Sequence, residues 1–204
     1  MNIGIVGTGH VAASLGKVWA AAGHHILFGS RSPDKAAAAA RAAGENAEGG
    51  TYAQAFQFGD VIVLAVPYGS MREILETQND LDGKILVDPS NPVGRDGLIV
   101  GHTTSAAEQI AEWAPHTRVV KAFNTIGADS MAGMHGSEDT AFICGDDAEA
   151  RELVMRLAAD LGFEGVDAGP LRSARLLEPL GALWIHLAYR QGLGPGIAFQ
   201  LLQR

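Results

Sequence analysis

A glycine-spaced turn near the start of the chain constrains its fold more than any other feature. The apolar run Asn2–Val6 leads into Gly7-Thr8-Gly9-His10-Val11-Ala12, and a helical pattern over Ala13–Ala22 follows. This is G-x-G-x-x-A in a strand–turn–helix setting. Gly7 permits the tight turn, Gly9 lets a pyrophosphate approach the backbone, and Ala12 is small enough for the helix to pack on the strand. The helix start then offers unpaired N–H groups and a positive dipole end to phosphate. Gly7, Thr8, Gly9, His10 and Val11 are therefore candidate dinucleotide contacts. An ordinary glycine turn is the plain alternative, and the βαβ setting argues against it.

That setting continues along the chain. Apolar runs at Asn2–Val6, His25–Gly29, Val61–Val66, Ile85–Asp88, Arg118–Ala122 and Ala141–Cys144 read as strands buried on both faces. Helical patterns separate them. Ser32-Pro33-Asp34 supplies an N-cap, a first-turn proline and a first-turn acid ahead of Lys35–Ala43, and Gly44 stops that helix. Ser105 with Glu108 forms a capping box ahead of Gln109–Ala114, and Asp146 with Glu149 resembles another ahead of Ala150–Leu161. Alternating strands and helices predict an α/β fold of Rossmann type, with a doubly wound, mostly parallel sheet and a C-terminal helical extension. The predicted organisation is a nucleotide-binding domain over 1–170 and a helical segment over 171–204 for acceptor and dimer contacts. Leu171–Gln191 reads as one long helix, apolar almost all round over Leu180–Tyr189. A helix of that kind needs cover on every side. A second copy of the chain is the expected cover, giving a homodimer.

Composition excludes whole classes. The 204 residues are 47% hydrophobic, enough for one compact domain. Fifteen basic against 23 acidic residues leave a net charge of −8, which argues against nucleic acid as partner. No run approaches the roughly 18 apolar residues of a bilayer span, so no membrane association is expected. Met1 opens directly on the first strand and the chain has a single cysteine, Cys144. A cytoplasmic setting without disulfides is the expectation.

The tip of the second strand carries the cofactor signal. An NAD site places Asp or Glu there, against the ribose hydroxyls. Here the tip is Gly29-Ser30-Arg31-Ser32, with Lys35 one helical turn later. A hydroxyl, a guanidinium and an ammonium form a clamp for the 2′-phosphate of NADP(H). A solvated loop arginine beside an N-cap serine is the other reading, weakened by the glycine loop. Three further strand ends, Ala65-Val66-Pro67, Asp88-Pro89-Ser90-Asn91-Pro92 and Ala122-Phe123-Asn124-Thr125, fall where ligands of open sheets lie. Ala65, Val66, Pro67, Asn91, Ala122 and Asn124 are candidate walls of the nicotinamide half. Asn91 and Asn124 could equally cap turns.

No proton-transfer group stands out. The Tyr-x-x-x-Lys pair of short-chain dehydrogenases is missing: Tyr52, Tyr68 and Tyr189 are followed four places on by Phe56, Arg72 and Leu193. The histidines are scattered without metal-ligand spacing, and Cys144 reads as inert core. No catalytic side chain and no metal ligand is expected. A nicotinamide site without an acid or base suits direct hydride passage to a second, stacked redox ring.

The chain resembles the coenzyme F420-dependent NADP reductase family, whose nucleotide-binding fold is shared by the reductase domain of STEAP metalloreductases. The resemblance rests on Gly7-Thr8-Gly9, on Gly29-Ser30-Arg31 with Lys35, and on Val119-Val120-Lys121-Ala122-Phe123-Asn124-Thr125. It continues through Ile143–Asp147, Asp167–Leu171 and Ala174–Leu180. It implies that Thr8, Ser30, Arg31 and Lys35 contact the 2′-phosphate. It implies that the segments around Pro67 and Asn124 hold the nicotinamide, with a deazaflavin stacked over it. The expected activity is hydride transfer between NADP(H) and coenzyme F420, a small-molecule partner. Two alternatives stand beside it: an NADPH-dependent flavin, ferric or quinone reductase, and an NADPH-binding sensor without turnover. Reduction of flavin alone marks the first, and tight NADPH binding with no acceptor reduced marks the second.

Overall fold

The computed structural model describes residues 1–79, 81–132 and 139–204. Strands β1 (Asn2–Val6), β2 (His25–Gly29), β3 (Ala47–Gly50), β4 (Val61–Leu64), β5 (Ile85–Asp88), β8 (Arg118–Lys121), β9 (Thr140–Gly145) and β10 (Glu164–Asp167) form one sheet. A short hairpin, β6 (Val93–Gly94) and β7 (Gly97–Leu98), stands apart. The sheet order is β10-β9-β8-β5-β4-β1-β2-β3. Every pairing in the large sheet is parallel except β8 with β9. This is the doubly wound, mostly parallel sheet expected from the sequence. Chain order reverses between β1 and β4, and an open sheet binds its ligands at that crevice.

Helices α1 (His10–Ala21), α2 (Pro33–Ala43), α3 (Tyr52–Phe58), α4 (Met71–Glu76), α5 (Ala106–Trp113), α6 (Ala128–Ala132), α7 (Ala148–Asp160) and α8 (Ala174–Ile185) complete the fold. Two apolar clusters lie on opposite faces of the sheet. One gathers Ile3, Ile5, Leu15, Trp19, Val63, Val120 and Leu157. The other gathers Val6, Ile62, Leu64, Met71, Ile110, Leu171 and Leu177. Alternate residues of β1 and β4 thus enter opposite cores, which is why both strands read as unbroken apolar runs.

The caps follow the sequence closely. Ser32 accepts from the Lys35 N–H, and Ser105 accepts from the Glu108 N–H. The cap of α7 differs from the expected one. Asp147 accepts from the Ala150 N–H, while Asp146 accepts from the Leu171 N–H and ties the start of the C-terminal segment to the sheet. The Leu171–Gln191 stretch is also subdivided. A 3₁₀ turn (Leu171–Ser173) precedes α8, which carries Pro179 and ends in a π turn over His186–Arg190. The chain then folds back. Trp184 Nε1 donates to the Ile197 carbonyl at 2.7 Å, and the Thr140 N–H to the Phe199 carbonyl at 2.9 Å. α8 is buried on one side only, leaving Leu176 at 73% and Leu183 at 47% exposed on a common face. Among the described residues no helix is long and apolar enough to cross a membrane.

Candidate active site: a dinucleotide cleft at the switch point

The turn after β1 is dictated by sterics. Gly7 has φ +124°, and a Cβ there would lie 2.2 Å from the Ala65 carbonyl oxygen. No side chain larger than hydrogen fits between the ends of β1 and β4. Gly9 is the N-cap of α1 and meets the opposite condition: a Cβ there would have nothing within 4 Å. The space above Gly9 is open, and no side chain caps the helix. Its first N–H groups and dipole are left for an anion. Ala12 is fully buried, as helix–strand packing requires.

Arg31 and Lys35 face the same cavity, of about 470 Å³, as Gly7, Gly9 and Ser30. Ser30 Oγ accepts from the Ser32 N–H at 3.1 Å and braces the turn that presents Arg31. Neither cation has a carboxylate partner among the described residues. The cavity extends at both ends past Val66 and Pro67. Toward α4 it opens into about 210 Å³ lined by Arg31, Tyr52 and Ile74. Toward β5 it opens into about 230 Å³ lined by Gly9, His10, Val11, Ala65, Pro89 and Ser90. The cleft therefore joins nearly all of the sequence-predicted residues along the carboxyl ends of β1, β2, β4 and β5.

Three residues are placed differently. Ala122 is fully buried in the core, where its N–H bonds the Asp88 carbonyl. Asn91 Nδ2 donates to the Asn124 carbonyl at 2.7 Å, and Asn124 Nδ2 to Asn91 Oδ1 at 3.0 Å and the Leu177 carbonyl at 2.8 Å. The two asparagines clasp α8 behind the cleft. α8 comes so close that a Cβ on Gly181 would lie 2.1 Å from Asn91 Oδ1. Asn124 follows Phe123, which holds φ +66° while its ring packs edge-on to Trp19. The polar side chain that lines the β5 end of the cleft is Ser90. Its Oγ is buried without a hydrogen-bond partner among the described residues, and so is Asn124 Oδ1. A buried hydroxyl without a partner is costly, and one lining a ligand cavity is poised to be satisfied by a ligand.

Behind Ser90 lies a charged cluster that no sequence pattern foretold. Lys121, Asp88 and Glu178 are all fully buried. Lys121 Nζ contacts Asp88 Oδ2 at 2.7 Å and Glu178 Oε1 at 3.1 Å, and donates to the Ser90 carbonyl at 2.6 Å. Asp88 Oδ1 accepts from the Ser90 N–H, fixing both sides of that residue's backbone. Glu178 caps α5 from outside, accepting from the N–H groups of Ala106 and Ala107. Burial pushes its carboxyl above the ordinary value, although Lys121 and the Ala106 N–H pull the other way. Tyr68 donates to Gln109 and its phenol is raised by burial, then by Glu178 and Asp88. Cys144 is pushed up to about 12, chiefly by burial, so its thiol stays protonated. Among the described residues no His, Cys, Asp and Glu cluster could hold a metal ion.

A glycine-loop cleft at the switch point of a doubly wound sheet suits a dinucleotide, and the cations at the tip of β2 suit one with a 2′-phosphate, NADP(H). The family described as NADP oxidoreductase coenzyme F420-dependent matches residues 2–92. The F420-dependent NADP reductase of Methanothermobacter marburgensis is 32% identical over 208 residues, covering 92% of this chain and 92% of its own. The chain belongs to the F420-dependent NADP reductase family. The metalloreductase STEAP3 of Rattus norvegicus is 35% identical over 180 residues, 88% of this chain; the chain spans only 36% of that relative's length. A solved structure from Arthrobacter sp. FB24, described as a candidate F420-dependent NADP reductase, superposes with a TM-score of 0.89 at 28% identity, over 98% of this chain and 99% of its own.

Proposed function

We propose that this protein exchanges hydride between NADP(H) and the deazaflavin coenzyme F420. The observation that carries the reading is the cleft itself. It sets Arg31 and Lys35, without ion-pair partners among the described residues, beside an uncapped helix and an open apolar end, in a chain similar to an F420-dependent NADP reductase along 92% of its length. In this reading Gly7, Thr8, Gly9, His10 and Val11 line the pyrophosphate. Ser30, Arg31 and Lys35 hold the 2′-phosphate. Ala65, Val66, Pro67 and Ser90 border the nicotinamide, with Asn91, Ala122 and Asn124 shaping the wall behind. When both rings are bound, the nicotinamide C4 and the deazaflavin C5 supply the chemistry by direct hydride passage. The protein's work is to hold the dinucleotide in register and keep the cleft apolar at its reacting end.

Residues 1–170 form the nucleotide-binding unit and 171–204 the segment that completes the acceptor side. The exposed face of α8 with Leu176 and Leu183 is assigned to a second copy of the chain. Light scattering tests this: the native chain runs as a dimer and Leu183→Glu as a monomer. A monomeric native chain at micromolar concentration refutes it. The reaction is assigned to the cytoplasm, where the single thiol remains reduced.

The test of the reaction is NADPH oxidation with F420 and, separately, with free flavin. Loss of the oxidised deazaflavin's visible absorbance, dependent on NADPH and slowed at limiting NADPH by Arg31→Ala, supports the reading. The similarity to a metalloreductase favours flavin-linked reduction as the second reading. Reduction of flavin but not F420 would move the assignment there. Binding should discriminate too: Arg31→Ala weakens NADPH by about tenfold or more and NADH little, the size of a lost charge-assisted hydrogen bond. Equal losses refute the clamp.

A further inference from the structure

Asp88 and Lys121 are register partners at the carboxyl ends of the parallel strands β5 and β8, the edge of the sheet where ligands lie. Glu178 reaches them from α8. An ammonium carries three N–H donors, and Lys121 Nζ has three acceptors: Asp88 Oδ2 at 2.7 Å, Glu178 Oε1 at 3.1 Å and the Ser90 carbonyl at 2.6 Å. Asp88 Oδ1 takes the Ser90 N–H at 2.9 Å. Both backbone polar groups of Ser90 are therefore tied to one buried ion pair, which fixes the direction of its Cα–Cβ bond. A buried ion cluster adds little stability over apolar packing of the same volume. What this one supplies is a fixed direction.

The side chain so directed differs from its backbone. Ser90 Oγ lines the β5 end of the cleft and has no hydrogen-bond partner among the described residues. A backbone held by buried charges and a hydroxyl open to a cavity suit a group kept ready for a ligand. A nicotinamide ring has one hydrogen-bonding group, its carboxamide. A hydroxyl can donate to the carboxamide oxygen or accept from its nitrogen. Holding the carboxamide stops the ring turning over on its glycosidic bond, and so decides which face of C4 meets the acceptor. We infer that Lys121 is a positioning residue of the hydride exchange: through the Ser90 backbone it holds the hydroxyl where the carboxamide of bound NADP(H) arrives. This rests on the proposed hydride exchange, with the nicotinamide at the β5 end of the cleft.

The experiment is a double-mutant cycle of Lys121→Met and Ser90→Ala, read with two ligands. One is NADPH. The other is adenosine 2′,5′-bisphosphate, which carries the adenine and the 2′-phosphate without the nicotinamide. Binding is measured by calorimetry on protein whose near-ultraviolet circular dichroism is native. Each single variant is expected to weaken NADPH about fivefold, the value of one hydrogen bond, and to leave the bisphosphate unchanged. The double variant is expected to lose no more than Ser90→Ala alone. Equal weakening of both ligands by Lys121→Met marks a merely structural role and overturns the inference. Unchanged NADPH affinity in either single variant overturns it as well, and additive losses overturn action through Ser90. If Lys121→Met does not fold, Asp88→Asn takes its place with the same outcomes. One amide cannot accept from both the Ser90 N–H and the Lys121 ammonium, while Glu178 still balances the lysine. In turnover with F420, each single variant should lower kcat/KM for NADPH by at least the same factor, and the double variant no further. If the native protein reduces neither F420 nor flavin, the proposed reaction fails, while the binding cycle still decides the role of Lys121.

Discussion

Replacing Lys121 by Met tests the buried charged cluster most directly. Methionine keeps the length and apolar stem of a side chain that has no exposed surface, so the change is close to pure charge removal. It leaves Asp88 and Glu178, both fully buried, facing each other without the ammonium that now lies 2.7 and 3.1 Å from them. It also strips the Ser90 carbonyl of its donor. Breaking a buried ion pair by deleting one partner costs about 3–5 kcal/mol. With a urea slope of about 2–3 kcal/mol per molar, the unfolding midpoint should drop by roughly 1.5 M. The loss must also depend on pH. Burial already raises the Glu178 carboxyl, and without Lys121 it rises further. The folded variant then holds a proton that the unfolded chain releases. Its stability should therefore be best preserved at acid pH and fall as pH rises from the ordinary carboxylate range through the raised folded value. The slope is at most about 1.4 kcal/mol per pH unit for one proton. Adding Glu178→Gln should remove most of that dependence. A loss below about 1 kcal/mol that is flat between pH 5.5 and pH 8.5 would refute the reasoning.

Ser90→Ala removes an orphaned hydroxyl. It should leave thermal stability equal or slightly raised while lowering kcat/KM for NADPH about fivefold, the value of one hydrogen bond to ligand. Gly7→Ala combines φ +124° with a Cβ 2.2 Å from a backbone oxygen; it should lower stability by at least about 2 kcal/mol and abolish NADPH retention, as read by calorimetry. Glu108 is held below its ordinary value chiefly by its hydrogen bond from Arg175, so its contribution is present above the ordinary carboxylate range and lost as pH falls. Arg175→Gln should flatten that part of the acid unfolding curve in a stability titration from pH 6 to pH 3.

The parts of this fold that could be read in advance are those where one local rule decides the outcome. Gly7 and Gly9 sit where a strand, a helix and a phosphate must meet, and the Val/Ile/Leu runs of β1, β4 and β5 are buried on both faces. β3, Ala-Glu-Gly-Gly, and β10, Glu-Gly-Val-Asp, escaped notice because edge strands need no apolar face pattern. The hairpin escaped because its strands are two residues long. Lys121 falls inside the run Arg118–Ala122, and nothing local announces that Asp88 and Glu178 will surround its ammonium. For the same reason Asn91 and Asn124 could not be told apart from ligand contacts: the partner that claims them is α8, and its approach depends on Gly181. Ser90 lay between two more conspicuous residues, and only the cavity wall distinguishes it.

The lone, deeply buried Cys144 makes the native protein silent to thiol reagents. A cysteine introduced at an exposed position, such as Lys35 beside the cleft, would be the only one to react, with no background substitution needed. A dye placed there would track ligand arrival in real time. The native thiol reports something else: it becomes alkylatable only when the sheet around β9 opens, so its labelling rate reads the frequency of unfolding. One chain thus carries its own stability gauge and leaves every surface site free for a probe.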